Sequence, residues 1–155
     1  MTSTVSAATM TVTLTESISL NGTNHGSTNT LSIASVNEVF KRIVTATTSE
    51  AIILSFGTAI AAGTFDEAKV MYIRITNLDD TNHVALTFKN EDSDEFGLKL
   101  DKGQSFIYNG DLSGGVVDTM DAGTTALTLA LADLVDITAL ADTAAVDLEV
   151  FIASV

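Results

Sequence analysis

The chain contains no cysteine, no proline and no tryptophan. Without cysteine it has no disulfide, no thiolate metal ligand and no thiol nucleophile. The fold therefore rests on burial and does not depend on an oxidising compartment. Without proline, sheet edges lose one of the usual devices that keep them from pairing with another chain, and must be charged, covered or paired. Positive charge is scarce as well: seven Lys and Arg face twenty Asp and Glu, for a net charge of −13 at pH 7. All seven bases (Lys41, Arg42, Lys69, Arg74, Lys89, Lys99 and Lys102) lie between residues 41 and 102, and residues 103–155 carry eight acids and no base. Such a surface repels phosphate backbones and anionic lipid, which argues against nucleic-acid and membrane partners. It suits solubility, a basic partner or a saline medium. No apolar run approaches the ~18 residues that a membrane-spanning helix needs. The opening MTSTVSAATM lacks a basic region followed by an apolar one, so it does not read as a secretory signal.

Thr, Val and Ile account for 47 of the 155 residues. These β-branched side chains are stiff at χ1 and suit a pleated surface. A chain of this length suits one domain, and burying roughly 68–70% of its unfolded surface gives a core that needs no staples. The clearest pattern spans Lys69–Tyr108. Met71, Ile73 and Ile75 alternate with Val70, Tyr72, Arg74 and Thr76. Val84, Leu86 and Phe88 repeat the pattern, then Phe96, Leu98 and Leu100, then Phe106 and Tyr108. A period of two marks half-buried strands, and the four runs predict an antiparallel meander.

Upstream, Thr9–Thr15 reads as a strand that Ile18 and Leu20 continue into Asn21-Gly22, a two-residue turn signal. A polar loop is expected over Asn21–Asn29. Strands follow at Thr30–Val36, Val39–Thr47 and Glu50–Phe56, with a loop at Thr58–Asp66. Downstream, Asn109-Gly110 is a second turn signal and Asp111–Gly123 reads as a surface loop. Leu127, Leu129 and Leu131 favour a strand over a short helix. Leu134–Ala139 and Val146–Ala153 close the chain, with Val146, Leu148, Val150 and Ile152 inward and Asp147 and Glu149 outward. The expected fold is a single all-β domain, a jelly-roll-like antiparallel β-sandwich of nine or ten strands. Residues 1–15 form an extended arm and residues 16–155 the sandwich.

Candidate chemistry is sparse. His25 and His83 both sit in polar turns, without the neighbours of a triad or a metal motif. The acids around Asn90–Glu95 invite a calcium reading, because hard cations take several converging oxygens. An EF-hand register from Asn90 puts Glu95 where glycine is required and Asp101 where a bidentate Glu belongs, so that motif fails. A looser calcium site would draw on Asp79, Asp80, Asp92 and Asp94; no other metal or cofactor is expected. No phosphate-binding glycine loop occurs. Paired carboxylates for glycoside hydrolysis stay open from sequence alone. With Tyr72 and Tyr108 the only tyrosines, platforms for stacking sugars or bases are few. Asn21-Gly22-Thr23 matches a glycosylation sequon and reads as chance.

The run from Tyr72 to Tyr108, YIRITNLDDTNHVALTFKNEDSDEFGLKLDKGQSFIY, resembles a segment of small virion proteins of tailed phages, especially marine ones. Ile75-Thr76-Asn77 matches their strand-to-turn element. Leu98, Leu100, Gly103 and Phe106 match their closing hairpin. The resemblance implies a β-sandwich that decorates a capsid or forms part of a tail or fibre, with no catalytic residues to carry over. The expectation is a non-enzymatic decoration or cement protein on the capsid exterior, bound to the major capsid protein or other virion proteins. Self-association, as a trimer, would remove unprotected edges. The alternatives are a tail, neck or fibre component and a receptor- or glycan-binding module. Contacts are expected at Thr2, Thr4, Val5, Met10, Asp80, Asn82, Val116 and Val117.

Overall fold

The computed structural model describes residues 4–59, 61–119 and 129–155, and their regular structure is strand except for one 3-10 turn at Glu67–Lys69. In chain order the strands are β1 (Ala8–Thr15), β2 (Ser19–Leu20), β3 (Thr23–Asn24), β4 (Thr28–Val36), β5 (Glu38–Ala46), β6 (Ala51–Gly57) and β7 (Thr64–Asp66). Then come β8 (Val70–Asn77), β9 (Val84–Asn90), β10 (Glu95–Leu100), β11 (Ser105–Tyr108), β12 (Leu134–Ala141) and β13 (Val146–Ser154). These thirteen exceed the nine or ten expected, and they include two strands of only two residues.

A five-stranded sheet, ordered β10-β9-β12-β6-β7, faces a four-stranded sheet, ordered β11-β8-β13-β5. All pairings are antiparallel except β6 with β7. The core between the sheets is built from inward side chains at every second residue. Val84, Leu86 and Phe88 on β9 and Ile137 and Ala139 on β12 meet Ile73 and Ile75 on β8 and Val146, Leu148, Val150 and Ile152 on β13. Fully burying one such aliphatic side chain stabilises by about 1.5–3 kcal/mol. The protein is an all-β sandwich, as its alternation predicts.

The Lys69–Tyr108 meander is not what forms. β9 and β10 pair in one sheet, whereas β8 and β11 pair in the other. The chain crosses between sheets after Asn77 and returns before Ser105. Alternation specifies which side chains turn inward but not which strand lies alongside, and both arrangements bury the same residues. The expected company of Met71 also changes. Ala153 lies opposite Tyr72 and Ser154 opposite Val70, so a bulge at Met71 reverses the alternation. Val70 joins Ile73 and Ile75 in the core, and Met71 joins Tyr72 in a second apolar cluster.

Other segments differ as well. Thr58–Asp66 contributes β7, whose Phe65 packs edge-on against Phe40 at 5.1 Å. Asn109-Gly110 does not turn a hairpin; the chain instead runs over the open end of the core. There Leu112 and Val117 are buried, so the described part of Asp111–Gly123 plugs the sandwich rather than looping over its surface. Leu129 and Leu131 lie exposed outside any strand, and Leu127 falls outside the described residues.

The first two main strands stand apart from the sandwich. β1 pairs with β4 in a two-stranded ribbon, from Ala8 opposite Val36 to Thr15 opposite Thr28. Bonds from Glu16 N to Ser27 O and from His25 N to Ile18 O carry the pairing into β2 and β3. At the tip, Asn21 and Gly22 have φ of 51° and 79°, the left-handed pair that a tight hairpin turn requires. The ribbon thus includes residues 16–28, expected in part as a polar loop, and runs from β1 to the end of β4 at Val36. Asn37 N bonds to Ser154 O at 3.0 Å and leads directly into β5.

Candidate functional site

The outer surface of the four-stranded sheet and the ribbon lying on it form the most differentiated region. The register places Thr45 and Asp147 in one row across the sheet. Ile43, Glu149, Thr76 and Ser105 form the next, and Lys41, Phe151, Arg74 and Ile107 the third. Val39, Ala153 and Tyr72 form the last row. The ribbon base covers Tyr72 and Ala153 of the last row and leaves Val39 exposed. Met10, Val12, Leu31 and Ile33 pack with Tyr72, Phe151 and Ala153, and the Tyr72 and Phe151 rings meet edge-on at 5.9 Å.

The apolar side of β1 does not stop where the sheet does. Leu14 continues the stripe of Met10 and Val12, and Ile18 and Leu20 follow toward the tip. All three are more than half exposed, and every residue from 13 to 25 is exposed. Glu16 is the one Asp, Glu, Lys or Arg in residues 1–36, so the remaining nineteen acids and all seven bases belong to residues 37–155. The ribbon is a Ser/Thr-rich finger with a single charge on a strongly acidic body.

Beside the ribbon, the sheet surface carries an ion-pair network. Glu149 accepts from Arg74 Nη2 at 2.5 Å and meets Lys41 Nζ at 3.1 Å, while Arg74 Nη1 donates to Thr76. The Arg74 hydrogen bond, then that of Lys41, holds the Glu149 carboxyl below its ordinary pKa. A matching network lies on the five-stranded sheet. Lys89 bonds Glu50 at 2.9 Å, and Glu50 accepts from the Thr138 hydroxyl at 2.6 Å. The Thr138 hydrogen bond, then Lys89, lowers the Glu50 pKa, and the bond to Glu50 raises that of Lys89.

A partly open apolar pocket of about 70 Å³ lies under the plug, walled by Ile73, Phe88, Phe106, Leu112, Val117 and Leu134. Phe96 lies at its edge, opposite Phe88 and stacked on it at 4.8 Å, on the same face as Leu100 but 39% exposed. The Tyr108 hydroxyl donates to the Asp111 carbonyl at 3.3 Å, and burial, then the charge of Asp111, raises its pKa. The space is well below the ~300 Å³ at which pockets for drug-sized ligands begin.

The four calcium candidates are not gathered. Asp79 and Asp80 precede β9 and Asp92 and Asp94 follow it, so the two pairs sit at opposite ends of a seven-residue strand. Asp79 Oδ1 accepts from the backbone of Thr81 and Asn82, bonds that hold its pKa low, and Asp80 accepts from the Thr81 hydroxyl. Asp94 accepts from the Thr119 hydroxyl at 3.2 Å. Among the described residues no three His, Cys, Asp or Glu side chains converge as metal ligands. Glu67 is buried with its Oε2 unpaired, likewise without two further acids beside it.

Of the expected contact residues, Thr4 and Val5 are exposed ahead of the ribbon, and Thr2 lies outside the described residues. Met10 is half-buried in the ribbon base. Asp80 is exposed and Asn82 half-buried on the β8–β9 loop. Val116 and Val117 do not belong to an outer surface: Val117 is 3% exposed and Val116 packs beside it. Their adjacency in a Gly- and Asp-rich stretch was the signal of a buried plug.

Sequence reasoning missed two buried asparagines. The Asn77 amide donates to Asn82 O at 3.0 Å and Leu100 O at 3.3 Å and accepts from Asp79 N at 2.9 Å, fastening both crossings between the sheets. Asn90 donates to Val117 O and accepts from Asp94 N, fastening the plug to the β9–β10 turn. Each ends a strand at the position where alternation calls for a core residue, which is the signal that could have found them. Among the described residues no helix is long and apolar enough to cross a membrane. The chain matches no family model, no curated protein and no solved structure.

Proposed function

We propose that this chain is a non-enzymatic structural component of a tailed-phage virion, a decoration protein on the capsid exterior. Its ribbon is the contact element and its sandwich the rigid mount. The observation that carries this reading is the run of exposed residues 13–25, with Leu14, Ile18 and Leu20 more than half exposed and Glu16 the one acid. Interface cores are depleted of charge, because charges are expensive to desolvate. A finger with one charge and an apolar stripe therefore loses little and gains apolar burial when covered. Such binding energy counts only in the assembled lattice, and many modest contacts sum there by avidity.

Sugar recognition is less well served. Tyr72 is buried under the ribbon base and Tyr108 lies beside the pocket, so neither tyrosine offers an open stacking face. A tail, neck or fibre location uses the same ribbon with a smaller copy number.

The test is mass spectrometry of purified particles, with copy number, alongside a variant in which an Asn-Gly turn joins Thr15 to Thr28. Copies in the hundreds and loss of the shortened variant from particles are expected. A dozen copies or fewer moves the protein to the tail. Absence from particles, or undiminished loading of the shortened variant, contradicts the proposal.

A further inference from the structure

We infer that the exposed tip of the ribbon seats on the four-stranded sheet of a second copy of this chain, on the part of that sheet its own ribbon leaves open. The inference rests on the reading of the ribbon as a contact element and names its partner.

The first argument is continuity. The base of the ribbon already makes this contact within one chain: the β1–β4 stripe of Met10, Val12, Leu31 and Ile33 lies on Tyr72, Phe151 and Ala153 of the outer sheet surface. Leu14, Ile18 and Leu20 prolong that stripe with the same chemistry and have no such surface under them. The sheet surface in turn is only half covered. In the rows beyond the ribbon, Ile43 on edge strand β5 is 59% exposed and Ile107 on edge strand β11 is 40% exposed. They flank the aliphatic parts of Lys41 and Arg74, the latter lying 5.9 Å over the Phe151 ring that borders the ribbon base. Each chain thus offers an uncovered apolar finger and an uncovered sheet surface of the kind that finger already packs on.

The second argument is charge. Two bodies that each carry nineteen acids against seven bases repel each other at close range. A finger bearing one charge spans the gap without bringing the bodies into face-to-face contact. That charge, Glu16, is an anion, and on the receiving surface Lys41 and Arg74 share the single carboxylate of Glu149, which leaves that trio one net positive charge. Tip and receiving surface are different patches, so the contact closes into a ring when the rotation permits. Association through the tip also covers a two-stranded extension that is marginal alone in water.

The test is sedimentation of the full chain, the tip variant Leu14→Ser/Ile18→Ser/Leu20→Ser, and the sheet variant Ile43→Lys/Ile107→Lys. Thermal melting checks that each body is folded. Wild type is expected to self-associate by ~100 µM, and each variant to weaken association by at least about tenfold. A mixture of the two variants is expected to associate more tightly than either alone, because an intact tip then meets an intact surface. Three outcomes overturn the inference: a wild type that stays monomeric, a tip variant that associates as wild type does, or a sheet variant that does so. If wild type is monomeric yet loads onto particles through its ribbon, the partner is wrong and the virion reading stands. If wild type associates as described but is absent from particles, the virion reading falls and the inference stands.

Discussion

Leu20 and Leu148 carry the same side chain on the same kind of backbone, yet Leu20 is 58% exposed and Leu148 is 0% exposed. Leu148 lies on β13, paired on both sides and faced by a second sheet. Leu20 lies near the tip of a ribbon paired on one side and faced by nothing. An alternating strand supplies an apolar face; whether that face becomes core depends on how many layers the chain brings to it. The sandwich brings two. The ribbon has a second layer only at its base, where Tyr72 and Phe151 lie beneath it.

The largest contrast comes from truncating one aliphatic side chain in each region. Ile137→Ala, at a fully buried site, is expected to destabilise by about 2–5 kcal/mol through lost burial and a residual cavity. Leu20→Ala is expected to stay within about 0.5 kcal/mol in the isolated chain. Urea unfolding of both variants checks this, and a substantial loss from Leu20→Ala would mean that the tip packs on something within its own chain.

A second comparison tests the body's buried polar fastening. Asn77→Ala leaves the carbonyls of Asn82 and Leu100 without the amide that satisfies them. About 2–3 kcal/mol should be lost, with cooperative melting of the sandwich at a lower temperature. No substitution in the exposed tip, residues 13–25, should do this.

Gly26→Ala acts on the ribbon alone. A Cβ at Gly26 would lie 2.1 Å from the Glu16 carbonyl oxygen, so the two strands must part there. NMR should show the Glu16 to Ser27 pairing lost and the tip rearranged, while the melting temperature of the body shifts by no more than about 2 °C. A large fall in that temperature would break the division into two regions.

The smallest effect is electrostatic. Glu149 has its pKa lowered in the folded chain by Arg74 and then Lys41. Its stabilising contribution is therefore complete above the ordinary carboxylate pKa and is lost as pH falls through the lowered folded value. Glu149→Gln should flatten part of the decline in stability below that range and leave the ribbon's exchange behaviour unchanged.

The sandwich was legible because its signal is local. Val84, Leu86 and Phe88 on β9 and Val146, Leu148, Val150 and Ile152 on β13 declare a buried face by period alone. Sheet membership was not legible. The crossing after Asn77 depends on a side-chain amide reaching Leu100, and nothing in the spacing of apolar residues records that contact. Met71 was misplaced because a bulge leaves no mark in composition. Val116 and Val117 were misplaced because a buried loop follows no period. At the candidate site, the Asn21-Gly22 turn and the alternation of β1 were readable. That the same alternation outruns the sheet beneath it, and leaves Leu14, Ile18 and Leu20 uncovered, is a matter of relative length in three dimensions.

The account turns on residues 13–25 being a contact element rather than part of the body. Hydrogen exchange at their amides, followed in dilute chain and again in concentrated or particle-bound chain, tests this most directly. The account predicts rapid exchange in the dilute chain, strong slowing on assembly, and unchanged protection of β8, β9, β12 and β13. Equal exchange of residues 13–25 in both states would contradict it.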